Sequence, residues 1–200
     1  MSVKKGLLIV VSAPSGAGKT TLCGRLFKAM PKTRFSVSCT TRSPRAGELD
    51  GKDYFFVTTH AFKRMIKHNE FVEWAMVHGH YYGTPEKHLL KMLNAGCDVV
   101  LDIDVQGGLS IKKLFPDALM VYIMAPSIAE LGRRLRSRGK DSAAVIALRL
   151  KNAKKELQSL QMYDYLIIND DVAIAAADLI AVVRAEHRRI SRLPKQALKF

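Results

Sequence analysis

Residues 13–20 read Ala-Pro-Ser-Gly-Ala-Gly-Lys-Thr and follow directly on the apolar run Leu7-Leu-Ile-Val-Val11. Gly16 and Gly18 can adopt backbone angles that residues with a Cβ avoid, so successive N–H groups can turn inward and surround a phosphate. The pattern indicates a strand, then a glycine-rich loop, then a helix, which is the P-loop arrangement. This stretch therefore predicts an α/β fold that binds nucleotide phosphates.

Two polar side chains at the end of the loop fit the same chemistry. Lys19 supplies a positive charge for the outer phosphates, and Thr20, in the first turn of the expected helix, offers a hydroxyl to Mg²⁺. The helix dipole adds about half a positive charge at the same point. Ala13 stands where the strict motif has glycine, and a small residue still fits there. The expected nucleotide-binding residues of the loop are Ala13, Pro14, Ser15, Gly16, Ala17, Gly18, Lys19 and Thr20.

The composition suits a globular protein with one core. The chain has 200 residues, of which 48% are hydrophobic and 25% charged, as in a single α/β domain. Its apolar runs are shorter than the roughly 20 residues of a membrane span, and the N-terminus lacks the core of a signal peptide. Cys23, Cys39 and Cys97 form no CxxC pair, which favours reduced structural thiols. We expect a cytoplasmic protein without a membrane segment.

The formal net charge of +14 has two interpretations. Basic patches bind nucleic acid, and a basic cleft attracts nucleotide phosphates. Local clusters occur at Arg42/Arg45, Arg133/Arg134/Arg136/Arg138 and Arg188/Arg189/Arg192/Lys195/Lys199. The first two clusters suit a phosphate cleft, and the last suits a solvated tail. His78-Gly-His80 has no further ligands near it in the sequence, so a metal site is not expected there.

Apolar runs rich in β-forming residues recur along the chain, with helical patterns between most of them. This rhythm predicts a parallel sheet covered by helices on both faces. The runs are Leu7–Val11, Phe35–Val37, Val99–Ile103, Leu119–Met124 and Tyr165–Ile168. Apolar spacings of three and four predict a helix over about 142–160, capped by Asp141 or Ser142. Pro85 behind Thr84 predicts the start of another helix, which ends at 94–96.

Two segments interrupt the βα rhythm. Residues 38–90 contain several turn signals and a short strand-like run at Tyr54–Val57, which we interpret as a small inserted subdomain. Residues 126–150 contain an arginine-rich helix that meets Arg138-Gly139 before the next helix, which indicates a second movable part. Both segments are where a P-loop core needs added parts to hold a second substrate and exclude water.

Carboxylates and arginines outside the loop complete the candidate site. Asp102 and Asp104 are two residues apart at the end of a buried run, so a strand would project both to one face, where they could organise Mg²⁺ and its waters. Arg42 and Arg45 suit a bidentate grip on phosphate, although a surface loop with two arginines is common. A third set can stabilise a moving phosphoryl group or form a solvated helix face, and spacing alone favours neither. It consists of Arg133, Arg134, Arg138 and Arg149.

Over residues 12–186 the sequence resembles the guanylate kinase family, which phosphorylates GMP with ATP. The resemblance rests on the P-loop together with several more specific pieces. These are Ser38-Cys-Thr-Thr-Arg42-Ser-Pro-Arg45-Ala-Gly-Glu48, Gly51-Lys-Asp-Tyr54, Glu70-Phe-Val-Glu73-Trp74, Tyr81-Tyr82-Gly83-Thr84, Leu101-Asp102-Ile103-Asp104-Val105-Gln106-Gly107 and Asn169-Asp170-Asp171. Cys39 stands where the family often has serine, beside the phosphate-binding positions.

The resemblance implies a role for each matching position. The GMP phosphate would be held by Ser38, Arg42, Arg45, Tyr54 and Tyr82. The guanine edge would be read by Glu73, Thr84 and Asp104, and carboxylate and hydroxyl oxygens do accept from the N1–H and amino group of guanine. The catalytic residues would be Lys19, Arg42, Arg134, Arg138 and Arg149. Asn169 would lie near the adenine of ATP, and Asp102 would support Mg²⁺ through water.

The implied architecture is one guanylate-kinase-like domain over residues 1–200. Its P-loop NTPase-type core would comprise residues 1–37, 91–125 and 156–200, its GMP-binding subdomain residues 38–90 and its helical lid residues 126–155. Closure of the lid would bring the substrates together and exclude water. The implied activity is Mg²⁺-dependent transfer of the γ-phosphoryl group of ATP to GMP or dGMP, without a specific nucleic-acid or membrane partner. The sequence leaves the oligomeric state open, monomer or homodimer.

Two alternatives come from other functional classes. A guanylate-kinase-like domain can serve as a protein-binding module without catalysis, but the intact Gly16, Gly18, Lys19 and Thr20 argue against that interpretation. A nucleic-acid-binding protein would account for the positive charge, and it predicts binding tighter than the roughly 10⁻⁴–10⁻⁶ M of nonspecific contacts.

Overall fold

A parallel sheet and a smaller mixed sheet form the framework of the molecule. The computed structural model describes residues 5–77, 79–139 and 141–193. In these ranges the strands are β1 (Leu8–Ser12), β2 (Thr33–Phe35), β3 (Cys39–Thr40), β4 (Phe55–Phe56), β5 (Phe71–Val77), β6 (His80–Pro85), β7 (Asp98–Asp102), β8 (Leu119–Met124) and β9 (Tyr165–Ile168). The larger sheet has the order β2-β7-β1-β8-β9, and its neighbouring strands all pair in parallel.

Helices cover both faces of the larger sheet. They are α1 (Lys19–Ala29), α2 (Thr59–Lys67), α3 (Glu86–Asn94), α4 (Val105–Leu114), α5 (Ile128–Ser137), α6 (Ala143–Glu156) and α7 (Val172–Glu186), with short 3₁₀ turns at Leu157–Met162 and Ile190–Arg192. One apolar cluster joins the sheet to α1, α5, α6 and α7, and another joins it to α3 and α4. Because both faces are covered, all five residues of β1 are buried, which explains the uninterrupted apolar run in the sequence.

The smaller sheet has the order β4-β3-β6-β5. Its pairings with β6 are antiparallel, while β3 and β4 pair in parallel. The Phe62 ring of α2 is completely buried and stacks on Phe71 and Tyr81, with ring centroids 4.4 and 5.2 Å apart. These aromatic contacts form a small core under this sheet, whose strands β3 and β4 have only two residues each and bury little surface by themselves.

The predicted parallel sheet is confirmed, with local corrections at the ends of its elements. The strand predicted at Phe35–Val37 is Thr33–Phe35. The helix predicted over 142–160 starts after Ser142, whose Oγ accepts the Val145 N–H, but it ends at Glu156 and continues as a 3₁₀ turn. The helix predicted to begin at Pro85 begins one residue later and ends at Asn94, as expected.

A further correction concerns the two aspartates after the buried run. The prediction that Asp102 and Asp104 project from one strand is wrong, because β7 ends at Asp102. Asp104 instead caps α4, and its carboxylate accepts the Gly107 N–H at 2.8 Å. A carboxylate at a helix start satisfies an amide that has no partner within the helix, and this gain favours ending the strand before it.

No helix in the described ranges has the length and apolar character of a membrane span. His78 and the tail residues Lys195 and Lys199, which the sequence analysis considered, lie outside the described residues.

Candidate active site

The P-loop has the backbone conformation that its glycines allow. Gly16 and Gly18 have φ values of 97° and 94°, in the left-handed region that residues with a Cβ rarely adopt. A Cβ on Gly18 would lie 2.1 Å from Nδ2 of Asn169. The same Nδ2 donates to the Ala17 carbonyl at 2.7 Å, so Asn169 supports the loop from within the protein. The loop is thus fixed by its own backbone and by the Asn169 side chain, which is 152 positions from Ala17 in the sequence.

Asn169 combines this supporting contact with an unused acceptor. The side chain is almost completely buried, and its Oδ1 has no hydrogen-bond partner in the described structure. A buried amide oxygen without a partner is uncommon and costs stability. The sequence analysis expected Asn169 near the adenine of ATP, and the structure places it directly beneath the P-loop.

Lys19 forms an ion pair with Asp102 between the start of a helix and the end of a strand. Lys19 opens α1 directly after the loop, and Asp102 ends β7, the neighbour of β1 in the sheet. Both side chains are partly exposed, at 20% and 32% of their surface. The pair therefore lies at the carboxyl edge of the sheet, where ligands bind in open α/β folds.

Beside this edge lies a cavity of about 270 Å³ between the two sheets. Its lining combines apolar walls with carboxylates and hydroxyls. The lining residues are Phe35, Ser38, Tyr54, Glu73, Ala75, Val77, Tyr82, Asp102, Ile103 and Asp104. The structure thus gathers five of the expected GMP-binding residues, together with Asp102, around one cavity.

Glu73 is an acid of this cavity whose pKa is shifted by its surroundings. Burial raises its pKa above the ordinary value, a hydrogen bond from Thr84 opposes that shift, and the charge of Asp104 adds to it. The Thr84 hydroxyl donates to Oε1 of Glu73 at 2.6 Å. A Cβ at Gly107 would lie 3.3 Å from Oε2 of Glu73 and 3.4 Å from Oδ1 of Asp104, so the two carboxylates approach the same point on α4. These groups present acceptors to any molecule in the cavity.

The two arginines of the 42–45 loop lie in different environments. The Nη2 atom of Arg42 donates to both carboxylate oxygens of Glu48, and its guanidinium lies 5.5 Å from the centroid of the Tyr54 ring. Arg45 is exposed, and its backbone N–H donates to Glu48. Tyr54 and Tyr82 are in edge-to-face contact at 5.9 Å. Arg42 is therefore fixed beside the cavity tyrosines, whereas Arg45 extends from the loop.

The arginines of the 126–155 segment also differ from one another. Arg149 of α6 donates to the Ser15 hydroxyl of the P-loop and to Asp141. Arg134 donates through Nε to Glu130 at 2.7 Å, one turn earlier on α5. Arg138 is the C-terminal cap of α5 and is exposed. Of the three expected catalytic arginines in this segment, Arg149 is the one with a hydrogen bond to the P-loop in the described structure.

Sequence reasoning missed the acidic partners of these arginines. Glu130 and Arg134 are four residues apart on one helix, a spacing that could have indicated their ion pair. Glu48 belongs to the same sequence motif as Arg42, but its bidentate contact depends on the loop conformation. Glu156, which accepts a hydrogen bond from the buried Tyr122 hydroxyl at 3.2 Å, had no sequence signal because the two residues are 34 positions apart.

The remaining P-loop residues differ in burial. Pro14 and Ala17 are buried, and the Ala17 N–H donates to the Pro14 carbonyl at 3.1 Å, which closes a turn. Ala13 is half-buried, so a small residue fits beside the core. Ser15 and Thr20 are exposed, and the Ser15 hydroxyl accepts the hydrogen bond from Arg149.

The oxygen atoms near the P-loop fit Mg²⁺ in kind. Mg²⁺ is bound by one or two protein oxygens together with substrate phosphates and water, and the Thr20 hydroxyl and the Asp102 carboxylate are oxygen donors at the ends of α1 and β7. Within the ranges that the structure describes, no three His, Cys, Asp or Glu side chains cluster as a metal site.

A P-loop on a parallel sheet, facing an acceptor-lined cavity beneath a second sheet, defines a P-loop nucleotide kinase. The family model for guanylate kinase matches residues 5–186. The guanylate kinase of Caldanaerobacter subterraneus is 49% identical over 100% of this chain and 98% of its own length, and that of Thermotoga maritima is 44% identical over 98% and 95%. The chain belongs to the guanylate kinase family, the kinases that transfer a phosphoryl group from ATP to GMP.

A solved structure supports the same assignment. The crystal structure of guanylate kinase from Anaplasma phagocytophilum matches with a TM-score of 0.76 and 33% sequence identity, over 94% of this chain and 90% of that one. The expected fold and family are therefore confirmed.

Proposed function

We propose that this guanylate kinase binds ATP at the P-loop and GMP in the cavity between the sheets, and that Mg²⁺ accompanies the ATP. The observation that carries this assignment is the cavity itself, where Glu73 and Asp104 lie beside the Lys19–Asp102 pair. Guanine presents an N1–H and an amino group to such acceptors, whereas adenine has an acceptor at N1. An adenine would leave a buried acceptor unpaired, at a cost of about 1–3 kcal/mol.

The phosphoryl transfer needs charge stabilisation and alignment more than proton transfer. The acceptor is a phosphate oxygen of GMP, which is already anionic, so no general base is required. We assign Lys19, Arg134, Arg138 and Arg149 to the transferring phosphoryl group, where positive groups stabilise the transition state. A Mg²⁺ supported by Thr20 and, through water, by Asp102 would neutralise phosphate charge.

The acceptor phosphate is assigned to a separate set of groups. They are Ser38, Arg42, Arg45, Tyr54 and Tyr82, of which Arg42 is the most firmly oriented. Thr84 completes the guanine site with Glu73 and Asp104, and Asn169 lies beside the ATP site under the P-loop. Phosphate on one side of the cavity and carboxylates on the other would orient GMP toward the P-loop.

The division of the chain into moving parts belongs to the same proposal. We assign residues 38–90 to GMP binding, residues 126–155 to a lid and the remaining residues to the core. The contact between Arg149 and Ser15 supports this division, because it links the proposed lid to the P-loop. We also propose a cytoplasmic location, which the three free cysteines favour.

The decisive experiment is a coupled assay of ADP formation with ATP and Mg²⁺, run in parallel with GMP, dGMP, AMP, CMP and UMP. We expect GMP-dependent ADP formation and little with AMP, CMP or UMP. The same rate with AMP as with GMP would contradict the assigned guanine site, and no ADP with any acceptor would favour the protein-binding alternative. Omission of Mg²⁺, with EDTA present, should abolish turnover.

A further inference from the structure

Arg42 is held in one orientation by groups on several sides. Its Nη2 donates to Oε1 and Oε2 of Glu48 at 2.8 and 2.9 Å, and its Nη1 donates to the Ser43 carbonyl at 2.7 Å. The guanidinium also lies 5.5 and 6.0 Å from the ring centroids of Tyr54 and Phe56. The Arg42 side chain is only 12% exposed and that of Glu48 only 20%. This is a packed arrangement, unlike a surface ion pair.

Glu48 holds the loop backbone as well as the arginine. The Arg45 N–H donates to Oε2 of Glu48 at 2.8 Å, and the Glu48 N–H donates to the Arg45 carbonyl at 3.0 Å. The hydrogen bond with Arg42 is the main cause that lowers the pKa of Glu48 and raises that of Arg42. One ionised carboxylate therefore fixes both the Arg42 side chain and the chain direction at Arg45.

A carboxylate on an arginine that binds phosphate can act in two opposite ways. It can compete with the phosphate, or it can orient the arginine before the phosphate arrives. Three features favour orientation. The contacts to Glu48 and Ser43 use only the terminal nitrogens of a group with five N–H donors, so Arg42 retains donors. The aromatic rings of Tyr54 and Phe56 limit its movement, and Glu48 is itself tied to the loop through Arg45.

We propose that Glu48 is a positioning residue for the acceptor phosphate: it holds Arg42 and the Arg45 loop in the orientation that binds the monophosphate group. A guanidinium that is already ordered loses less conformational entropy when it binds phosphate. This inference rests on the proposed function, since it takes the monophosphate of the acceptor nucleotide as the ligand of Arg42.

The test compares Glu48→Gln and Glu48→Ala with the wild-type protein in steady-state kinetics, with GMP varied at saturating ATP. The Gln variant can still accept from the Arg45 N–H but loses the charged bidentate contact. We expect the KM for GMP to rise about tenfold in the Gln variant and further in the Ala variant, with kcat and the KM for ATP unchanged, as for a loss of uniform binding.

Three controls separate positioning from general damage to the loop. Asp53→Asn changes another carboxylate of the same loop, one whose Oδ2 accepts the Leu49 N–H at 2.8 Å, and it should leave the KM for GMP unchanged. Inhibition by guanosine, which lacks the phosphate, should be the same in Glu48→Gln as in the wild type. In an Arg42→Ala background, Glu48→Gln should cause no further rise in KM.

Each other outcome overturns the inference. A lower KM for GMP would mean that Glu48 competes with the phosphate for Arg42. An unchanged KM would mean that Glu48 neither competes with the phosphate nor orients Arg42 for it. If guanosine inhibition weakened in parallel with GMP binding, the role of Glu48 would be structural. The inference is distinguishable from the proposed function, because the latter is tested on the wild-type protein alone, by GMP-dependent ADP formation and by the rate with AMP.

Discussion

The P-loop and the cavity beneath the smaller sheet bind through different kinds of groups. The P-loop consists of eight consecutive residues that follow the fully buried strand β1. Its shape depends on two glycines with positive φ. The cavity collects Ser38, Glu73 and Asp104 from three separate segments. Strand β5, which carries Glu73, also has exposed residues such as Trp74 and Met76. Binding at the P-loop therefore depends on backbone conformation, whereas binding in the cavity depends on side chains that the fold brings together.

This difference predicts different consequences of substitution. A substitution in the P-loop should lower the rate of phosphoryl transfer from ATP, regardless of the base of the acceptor nucleotide. A substitution of its glycines should also lower the stability of the protein. A change in the cavity should affect the choice and affinity of the acceptor while the ATP site remains intact. The comparison would fail if the two halves responded alike.

Lys19→Ala should have the largest effect. Loss of this ammonium should lower kcat by about a thousandfold, because it removes a positive charge from the transferring phosphoryl group. Far-UV circular dichroism should remain unchanged, since Lys19 is partly exposed and pairs with a partly exposed Asp102. Lys28→Ala, on the exposed last turn of the same helix, is the control and should retain normal turnover. Normal turnover in Lys19→Ala would contradict the assigned role.

Glu73→Gln should weaken binding of the acceptor nucleotide without affecting binding of ATP. We expect the KM for GMP to rise about 10- to 100-fold, because the guanine donors lose a charged acceptor, while the KM for ATP stays the same. Glu86→Gln changes an exposed acid at the start of α3 and should alter neither constant. A parallel rise in the KM for ATP would show that the two halves of the cleft are not independent.

Gly18→Ala should destabilise the protein, because Ala must adopt a φ of 94° with its Cβ close to Asn169. We expect the free energy of unfolding to fall by about 2 kcal/mol, measured by urea denaturation. Gly24→Ala is the matched control in α1, where a Cβ would meet nothing within 4 Å, and it should stabilise by about 0.5–1 kcal/mol. Equal effects of the two substitutions would refute the backbone argument for the P-loop.

The pH dependence of GMP binding should show the smallest effect. The raised pKa of Glu73 means that it is protonated at a higher pH than an ordinary glutamate, so the KM for GMP should begin to rise at mildly acidic pH as the pH falls. The ionised form is the one disfavoured by folding, so its cost to stability appears as the pH rises above the ordinary glutamate pKa. Glu73→Gln should therefore be more stable than the wild type at neutral pH, and the difference should vanish in acid. An identical acid limb in the variant would assign that limb to another group.

The parallel sheet could be predicted because its signals are local. The apolar run before Gly16, the cap at Ser142 and the end of α3 near Gly96 each depend on a few neighbouring residues. The smaller sheet could be predicted only as an interruption in the alternation of strands and helices. Its strands β3 and β4 have two residues each, too few for a sequence pattern, and the sheet gains stability from aromatic packing with α2. The alternation of side chains along a strand predicted Asp104 on the same strand as Asp102. That pattern does not show that the strand ends before Asp104, where the carboxylate caps α4.

The phosphate-binding loop, the order of the core elements and the resemblance to the guanylate kinases could all be recognised in the amino-acid sequence, because they depend on contiguous patterns. Which polar side chains meet depends on the three-dimensional packing: Lys19 pairs with Asp102, Arg42 pairs with Glu48, and Arg149 donates to the Ser15 hydroxyl. The physical reason is that an ion pair depends on the distance between two side chains in space, and for residues on different elements that distance is set by packing. The P-loop could thus be recognised from its sequence motif, whereas the side chains that contact it, Asp102 and Arg149, could be identified only from the folded structure.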